Sequence, residues 1–274
     1  MMIKALARQS DRVMSLLFSL RHGLSYSVDT NDLTIAQATL LTAIALDIAA
    51  DLIIDIGTGA GNSAITFAIA HREVNSRIYT LGNPSVDRRW SATVERVASY
   101  IPDFGSIVTS LDVDITRFDF APLVADANSV LVFWDAHGYG IADSILSRLL
   151  PIVADRRHVV VCHDMSDHRM YSDAKSYRGK PFWRGAMGAI ETAYVSTSSV
   201  LTQVEQAIPI LDFCWRNDML FRSFDGEIHL DLGENERMSI FDGVGLDPSS
   251  LFHMGYFTMN ETRSRHFPAP MLAP

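Results

Sequence analysis

Three short stretches of this 274-residue chain carry residue types that do chemistry. The first is Asp55-Ile56-Gly57-Thr58-Gly59-Ala60-Gly61-Asn62-Ser63, an acid followed by three alternating glycines. Glycines spaced in this way let a backbone turn tightly beside a ligand, and a helix starting after them offers its first N–H groups to an anionic group. The second is Trp134-Asp135-Ala136-His137-Gly138-Tyr139, and the third is Val161-Cys162-His163-Asp164. Two carboxylates with water form a hard, oxygen-rich site suited to Mg²⁺ or Mn²⁺, and an imidazole beside them can take a proton. Each acid also has a purely structural use: Asp135 could cap the helix that follows it, and Asp164 could bond loop backbone.

Such residues act together only if the intervening elements bring them together. Leu52-Ile53-Ile54, Arg77–Leu81, Ser106–Ser110, Val130–Trp134 and His158–Cys162 read as strands. Helical patterns follow from Asn62 or Ser63 to about His71, from Val86 to Tyr100 and from Ile141 to Ala154. This alternation predicts an α/β, Rossmann-like, doubly wound and mostly parallel sheet, with Val130–Trp134, apolar on both faces, as a central strand. Ligands of such sheets bind beyond the carboxyl ends of the strands, where all three stretches fall. A helix over 3–21 and another from Asp32 or Thr34 to about Ala50 precede the sheet. After Asp164 come a polar loop over 165–183, helix within 184–206, and strands near 208–215 and 219–230. The expected organisation is therefore an N-terminal helical extension over 1–50, one catalytic domain over 51–230, and a Phe-, Met- and Pro-rich C-terminal extension over 231–274, serving as a lid or oligomer contact.

The glycine stretch departs from the dinucleotide fingerprint G-x-G-x-x-G, because Asn62 stands where the third glycine belongs. Asp55 to Ser63 instead resembles the first motif of class I S-adenosylmethionine-dependent methyltransferases. That resemblance implies that Gly57, Gly59 and Gly61, with Thr58, Asn62 and Ser63, hold the amino-acid end of S-adenosyl-L-methionine, and that Asp55 helps directly or through water. Members of the family usually place an acid after the second strand for the ribose hydroxyls. This chain has Thr80-Leu81-Gly82-Asn83-Pro84 there, so Asn83 is the ribose candidate through neutral hydrogen bonds. Asp112, after the third strand, is either an adenosine contact or a solvated loop residue.

The acids after strands four and five add a second resemblance, to metal-dependent small-molecule O-methyltransferases of the catechol type, the macrocin type and the cephalosporin hydroxylase family branch. It covers roughly residues 33–165. By position it implies Asp135 and Asp164 as ligands of Mg²⁺ or Mn²⁺, His163 in place of a third acid, and His137 as general base. The chain departs from the pattern at His163 and at Asp155-Arg156-Arg157, where a glycine pair often precedes strand five. The expected activity is methyl transfer to a hydroxyl of a small molecule, a natural product or sugar-like compound. Alternatives are a methyltransferase fold with a non-methylating reaction, a nicotinamide-dependent oxidoreductase, and a non-catalytic binding protein.

Composition narrows the partners. With 32 acidic and 23 basic residues the net charge is −9, which argues against nucleic acid and anionic membrane. No apolar run approaches the roughly 20 residues of a membrane span. Cys162 and Cys214 lie in apolar stretches and imply no disulfide framework, so a cytoplasmic setting is expected. Lys4, Arg8 and Arg12 precede the apolar run Val13–Leu20, which is short and lacks a small-x-small cleavage site; an amphipathic helix, and a candidate homo-oligomer contact, is the reading. Arg169, Lys175, Arg178, Lys180 and Arg184 crowd one stretch that holds a single acid, Asp173. That excess suits an acidic substrate or a lid, or equally a solvated loop.

Overall fold

A computed structural model describes residues 1–29, 33–82, 88–165, 197–247, 251 and 254–260. The helices are α1 (Ala5–Arg8), α2 (Ser10–Leu24), α3 (Ile35–Asp47), α4 (Asn62–Val74), α5 (Arg88–Val97), α6 (Phe104–Ile107), α7 (Ala121–Val124), α8 (Tyr139–Ser144), α9 (Leu150–Val153), α10 (Thr197–Arg216), α11 (Phe224–Gly226) and α12 (Glu234–Val244), with π-helical turns over Ile145–Leu149 and Glu227–Asp231. The strands are β1 (Leu52–Ile56), β2 (Arg77–Gly82), β3 (Val108–Asp112), β4 (Ser129–Trp134), β5 (Arg157–Cys162), β6 (Arg222–Ser223) and β7 (Gly255–Phe257).

They form one sheet in the order β3-β2-β1-β4-β5-β7-β6. The first five strands are parallel, and β7 runs antiparallel to both β5 and β6. The α/β, mostly parallel sheet expected from the alternation is thus the observed fold. Its strand order reverses between β1 and β4, which opens a crevice at their carboxyl ends.

Burial follows from strand parity. Every residue of β1 and β4 is buried, as central strands covered on both faces require. Ile53, Leu131, Phe133, Val159, Val161 and Tyr256 face one apolar cluster, shared with α1–α4. Ile54, Val132, Trp134, Val160, Cys162 and Phe257 face the other, shared with α7, α8 and α10. The start of α3 is set locally at Thr34, whose hydroxyl accepts from the Gln37 N–H while the Gln37 side chain accepts from the Thr34 N–H, a reciprocal cap. Arg8 then grips Asp47 through two charge-assisted bonds of 2.7 and 2.6 Å.

Two expectations along the chain differ. Residues 208–215 are helical, the end of α10, rather than a strand. The run Ile208-Pro209-Ile210-Leu211-Asp212-Phe213 is too evenly apolar for periodicity to arbitrate, and only packing selects Gln206, Ile210 and Cys214, spaced by four, as the buried face. Within 219–230 the strand is Arg222–Ser223 alone, followed by short helical turns through Asp231. The sheet position beside β5 is filled from the C-terminal segment instead, by β7. Buried Glu227 ties that segment to the N-terminus, accepting from the Tyr256 hydroxyl and from the Ile3 N–H. No helix among the described residues is long and apolar enough to cross a membrane.

Candidate active site

The glycine turn leaves β1 and enters α4. Gly57, Gly59 and Gly61 all have positive φ, and Gly61 caps α4 in the left-handed region with no side-chain cap of its own. Asp55 is fully buried and accepts a 2.9 Å bond from Ser63 Oγ, so the acid of the motif fastens the start of the helix to the strand. Asn62, also buried, donates through Nδ2 to the Asp29 carbonyl at 2.6 Å. Trp90 packs against Gly61, where an added Cβ would lie 2.8 Å from its ring.

The end of β2 leaves no room for a side chain at Gly82. A Cβ on Gly82 would stand 2.6 Å from Thr58 Oγ1, whose hydroxyl also accepts a 3.0 Å bond from Thr80. The turn after β1 and the end of β2 touch so closely here that glycine is the residue that fits. Asp112 is exposed and lies in register beside Gly82, one strand farther out. Asn83 lies outside the described residues, as does the basic stretch over 169–184.

The acids after β4 and β5 converge as parallel register dictates. Trp134 pairs with Cys162, and the ladder continues one step, with Asp135 N–H on the Ile56 carbonyl at 2.8 Å and His163 N–H on the Trp134 carbonyl at 3.0 Å. Asp135 and His163 therefore sit side by side on one face, and His163 Nδ1 lies 3.0 Å from Asp135 Oδ1. Asp164 takes φ +55, a left-handed conformation that Asp tolerates better than most residues, and this returns its carboxylate to the group. Its Oδ1 is 3.5 Å from His163 Nδ1 and its Oδ2 is 3.2 Å from His137 Nε2.

One ligand atom from each of Asp135, His163 and Asp164 falls within 4.8 Å of the others. Neighbouring donors around an octahedral ion at about 2.1 Å are separated by roughly 3 Å, so two carboxylates and an imidazole at these distances fit one small divalent cation. Burial works against charge on His137, but the Asp164 hydrogen bond, the charges of Asp135 and Asp164, and Gln206 outweigh it and hold its pKa above the ordinary imidazole value.

Gln206 is the residue that sequence reasoning missed. It projects from α10 with no exposed surface, meets His137 Nδ1 through Oε1, and donates through Nε2 to the His163 carbonyl at 3.4 Å. Its one signal in the sequence is polarity on the buried Gln206–Ile210–Cys214 face.

No protein-family model matches the chain, and no curated protein matches it. Among solved structures it is similar to the S-adenosylhomocysteine-bound methyltransferase PaMTH1 of Podospora anserina, at 13% identity over 92% of this chain and 95% of that one, with a TM-score of 0.47. It is similar to cofactor-bound Rv0187 from MTB at 12% identity, over 90% and 91% of the two chains, with a TM-score of 0.47. The O-methyltransferase TomG of Streptomyces achromogenes, bound to S-adenosylmethionine, is 17% identical over 76% of this chain and 80% of its own, with a TM-score of 0.41.

Proposed function

We propose that this protein is an S-adenosylmethionine-dependent O-methyltransferase that acts on a hydroxyl of a small molecule with help from Mg²⁺ or Mn²⁺. One observation carries the reading: the glycine turn after β1 and the Asp135–His163–Asp164 group open at the same crevice, with Gly57 packed on the backbone of Asp135. On this reading a donor site and an acceptor site would be adjacent.

When bound, the donor supplies an electrophilic methyl group, and the divalent ion lowers the pKa of the acceptor hydroxyl. The N–H groups at the start of α4 would bind the donor's carboxylate, those of Gly57 and Gly61 being committed to the Leu81 and Thr58 carbonyls, while buried Asp55 keeps Ser63 and that helix start in place. Asp135 and Asp164 would hold the ion, with His163 beside them, and His137 would take the proton that the acceptor hydroxyl gives up. Holding oxygen, methyl carbon and sulfur in line is the remaining contribution of the site. The acceptor is a small molecule, and an acidic one suits the basic residues over 169–184.

Calorimetry with S-adenosylmethionine, S-adenosylhomocysteine and NAD tests the donor. Binding of the first two and not the third is expected; binding of NAD alone would replace the reading by an oxidoreductase. A screen of candidate acceptors for a mass gain of one methyl group then identifies the substrate, and donor binding without such a product favours a non-methylating reaction on this fold.

A further inference from the structure

We propose that the outer face of α2 is the contact of a weak homodimer, in which two copies of this helix pair antiparallel across a two-fold axis with Met14 and Phe18 at the centre. The proposal goes beyond the reaction and does not depend on it.

Helix α2 has two unlike faces. Val13, Leu16, Leu17, Leu20 and Leu24 are buried against the fold. On the opposite side Asp11, Met14, Phe18 and Arg21 are all exposed, Phe18 to 76%. Spacings of three, four and three place these four residues within roughly 80° of arc, so they form one stripe along the helix. Its middle is apolar and its ends carry opposite charges. The ring of Phe18 is also held in place, stacked on His22 at 5.9 Å, while His22 meets Tyr26 and Tyr100 edge-on at 5.3 and 4.7 Å. Methionine and aromatic side chains are concentrated at the cores of protein interfaces, and a ring already ordered loses little freedom on binding.

The charges identify the occupant, because the stripe is complementary to itself. The midpoint of Asp11 and Arg21 is also that of Met14 and Phe18, at the level of Leu16. An antiparallel pair with its two-fold axis at that level sets Asp11 across from Arg21 of the second copy, and Met14 across from Phe18 of the second copy, each contact occurring twice. A parallel pair would set like charge against like charge. The end pairs lie at a solvent-exposed rim, where they fix register more than affinity. One pair of 15-residue helices is a small contact beside the roughly 800 Å² per partner of a standard interface, so the dimer forms only at high concentration.

Sedimentation velocity of the full chain from about 1 to 200 μM tests this. A reversible monomer–dimer equilibrium is expected, and Phe18→Ala should weaken it by about tenfold or more. Asp11→Arg and Arg21→Asp should each weaken it as well, since each brings like charges together twice. The double variant, Asp11→Arg with Arg21→Asp, should recover it. Both reversals also oppose the helix macrodipole, because Asp11 lies in the first turn and Arg21 in the last. The double variant carries both of those penalties, so its recovery reports pairing and not helix stability. Urea midpoints check that each variant folds. A parent that stays monomeric to the top of the range overturns the proposal without any variant. A dimer untouched by Phe18→Ala is built on another face, and one that the double reversal fails to restore does not pair in this register; either result overturns the proposal too.

Discussion

The Cβ that Gly57 lacks would stand 2.4 Å from the carbonyl oxygen of Asp135, so the first glycine after β1 and the first acid after β4 meet backbone to backbone. Gly138 has the same φ, +113, but nothing within 4 Å of its added Cβ. The pair separates conformational strain from contact. Gly138→Ala should lose about 1–3 kcal/mol through strain alone, and Gly57→Ala should lose more, because the loop or Asp135 must also move. Urea midpoints with unchanged slopes measure both. Gly57→Ala should also weaken binding of S-adenosylmethionine and of Mn²⁺ together; equal destabilisation by the two variants would show that the close approach carries no cost.

Two carboxylates and one imidazole within 4.8 Å predict an affinity for divalent ions that needs no donor or acceptor. Asp135→Asn and Asp164→Asn should each weaken Mn²⁺ binding by about tenfold or more, read from the electron paramagnetic resonance of free Mn²⁺. Unchanged binding in both variants would reduce the group to a hydrogen-bonded network that steadies two strand ends.

Gly82 offers a test of the donor pocket. The resemblance to methyltransferases implies an acid after the second strand, yet Thr58 Oγ1 occupies the approach to any side chain at this position. Gly82→Asp should therefore cost about 1–3 kcal/mol through overpacking and should not tighten S-adenosylmethionine binding. A stable variant with a clearly lower Kd would show that Thr58 yields readily and that the pocket accepts the usual ribose contact.

What could be read in the sequence was what local pattern encodes. Strands buried on both faces appear as continuous apolar runs, so the ends of β1, β4 and β5 were visible, and with them Asp55, Asp135, His163 and Asp164. Parallel register then makes the meeting of Asp135 and His163 almost obligatory once the strands pair. Contacts that depend on distant segments left no such trace. Gln206 reaches His137 across 69 residues from a helix whose apolar run mimics a strand. The three residues of β7 enter the sheet only because β5 presents an open edge, and their composition alone marks no strand. The contact of Gly82 with Thr58 likewise arises from the approach of two strand ends, which no spacing reports.

The C-terminal segment should detach in mild acid, through His158. This residue, 4% exposed at the start of β5, donates through Nδ1 to the Arg156 carbonyl at 2.8 Å and accepts at Nε2 from the Met259 N–H, also at 2.8 Å. Both nitrogens are committed with the ring neutral, and protonation of Nε2 would set two donors against each other beside β7. Burial holds the pKa below the ordinary 6.5, with the Arg156 carbonyl offsetting part of that effect. Below that value the unfolded chain binds a proton that the folded chain refuses, so this contribution to stability is complete above about pH 6.5 and is lost as the pH falls through the folded value. One proton limits the slope to about 1.4 kcal/mol per pH unit. Urea midpoints taken from pH 7.5 downward should fall more steeply in the parent than in His158→Leu, and amide exchange at Met259 should accelerate over the same range in the parent. Parallel curves for the two proteins would show that His158 is already charged in the fold or contributes nothing to holding β7.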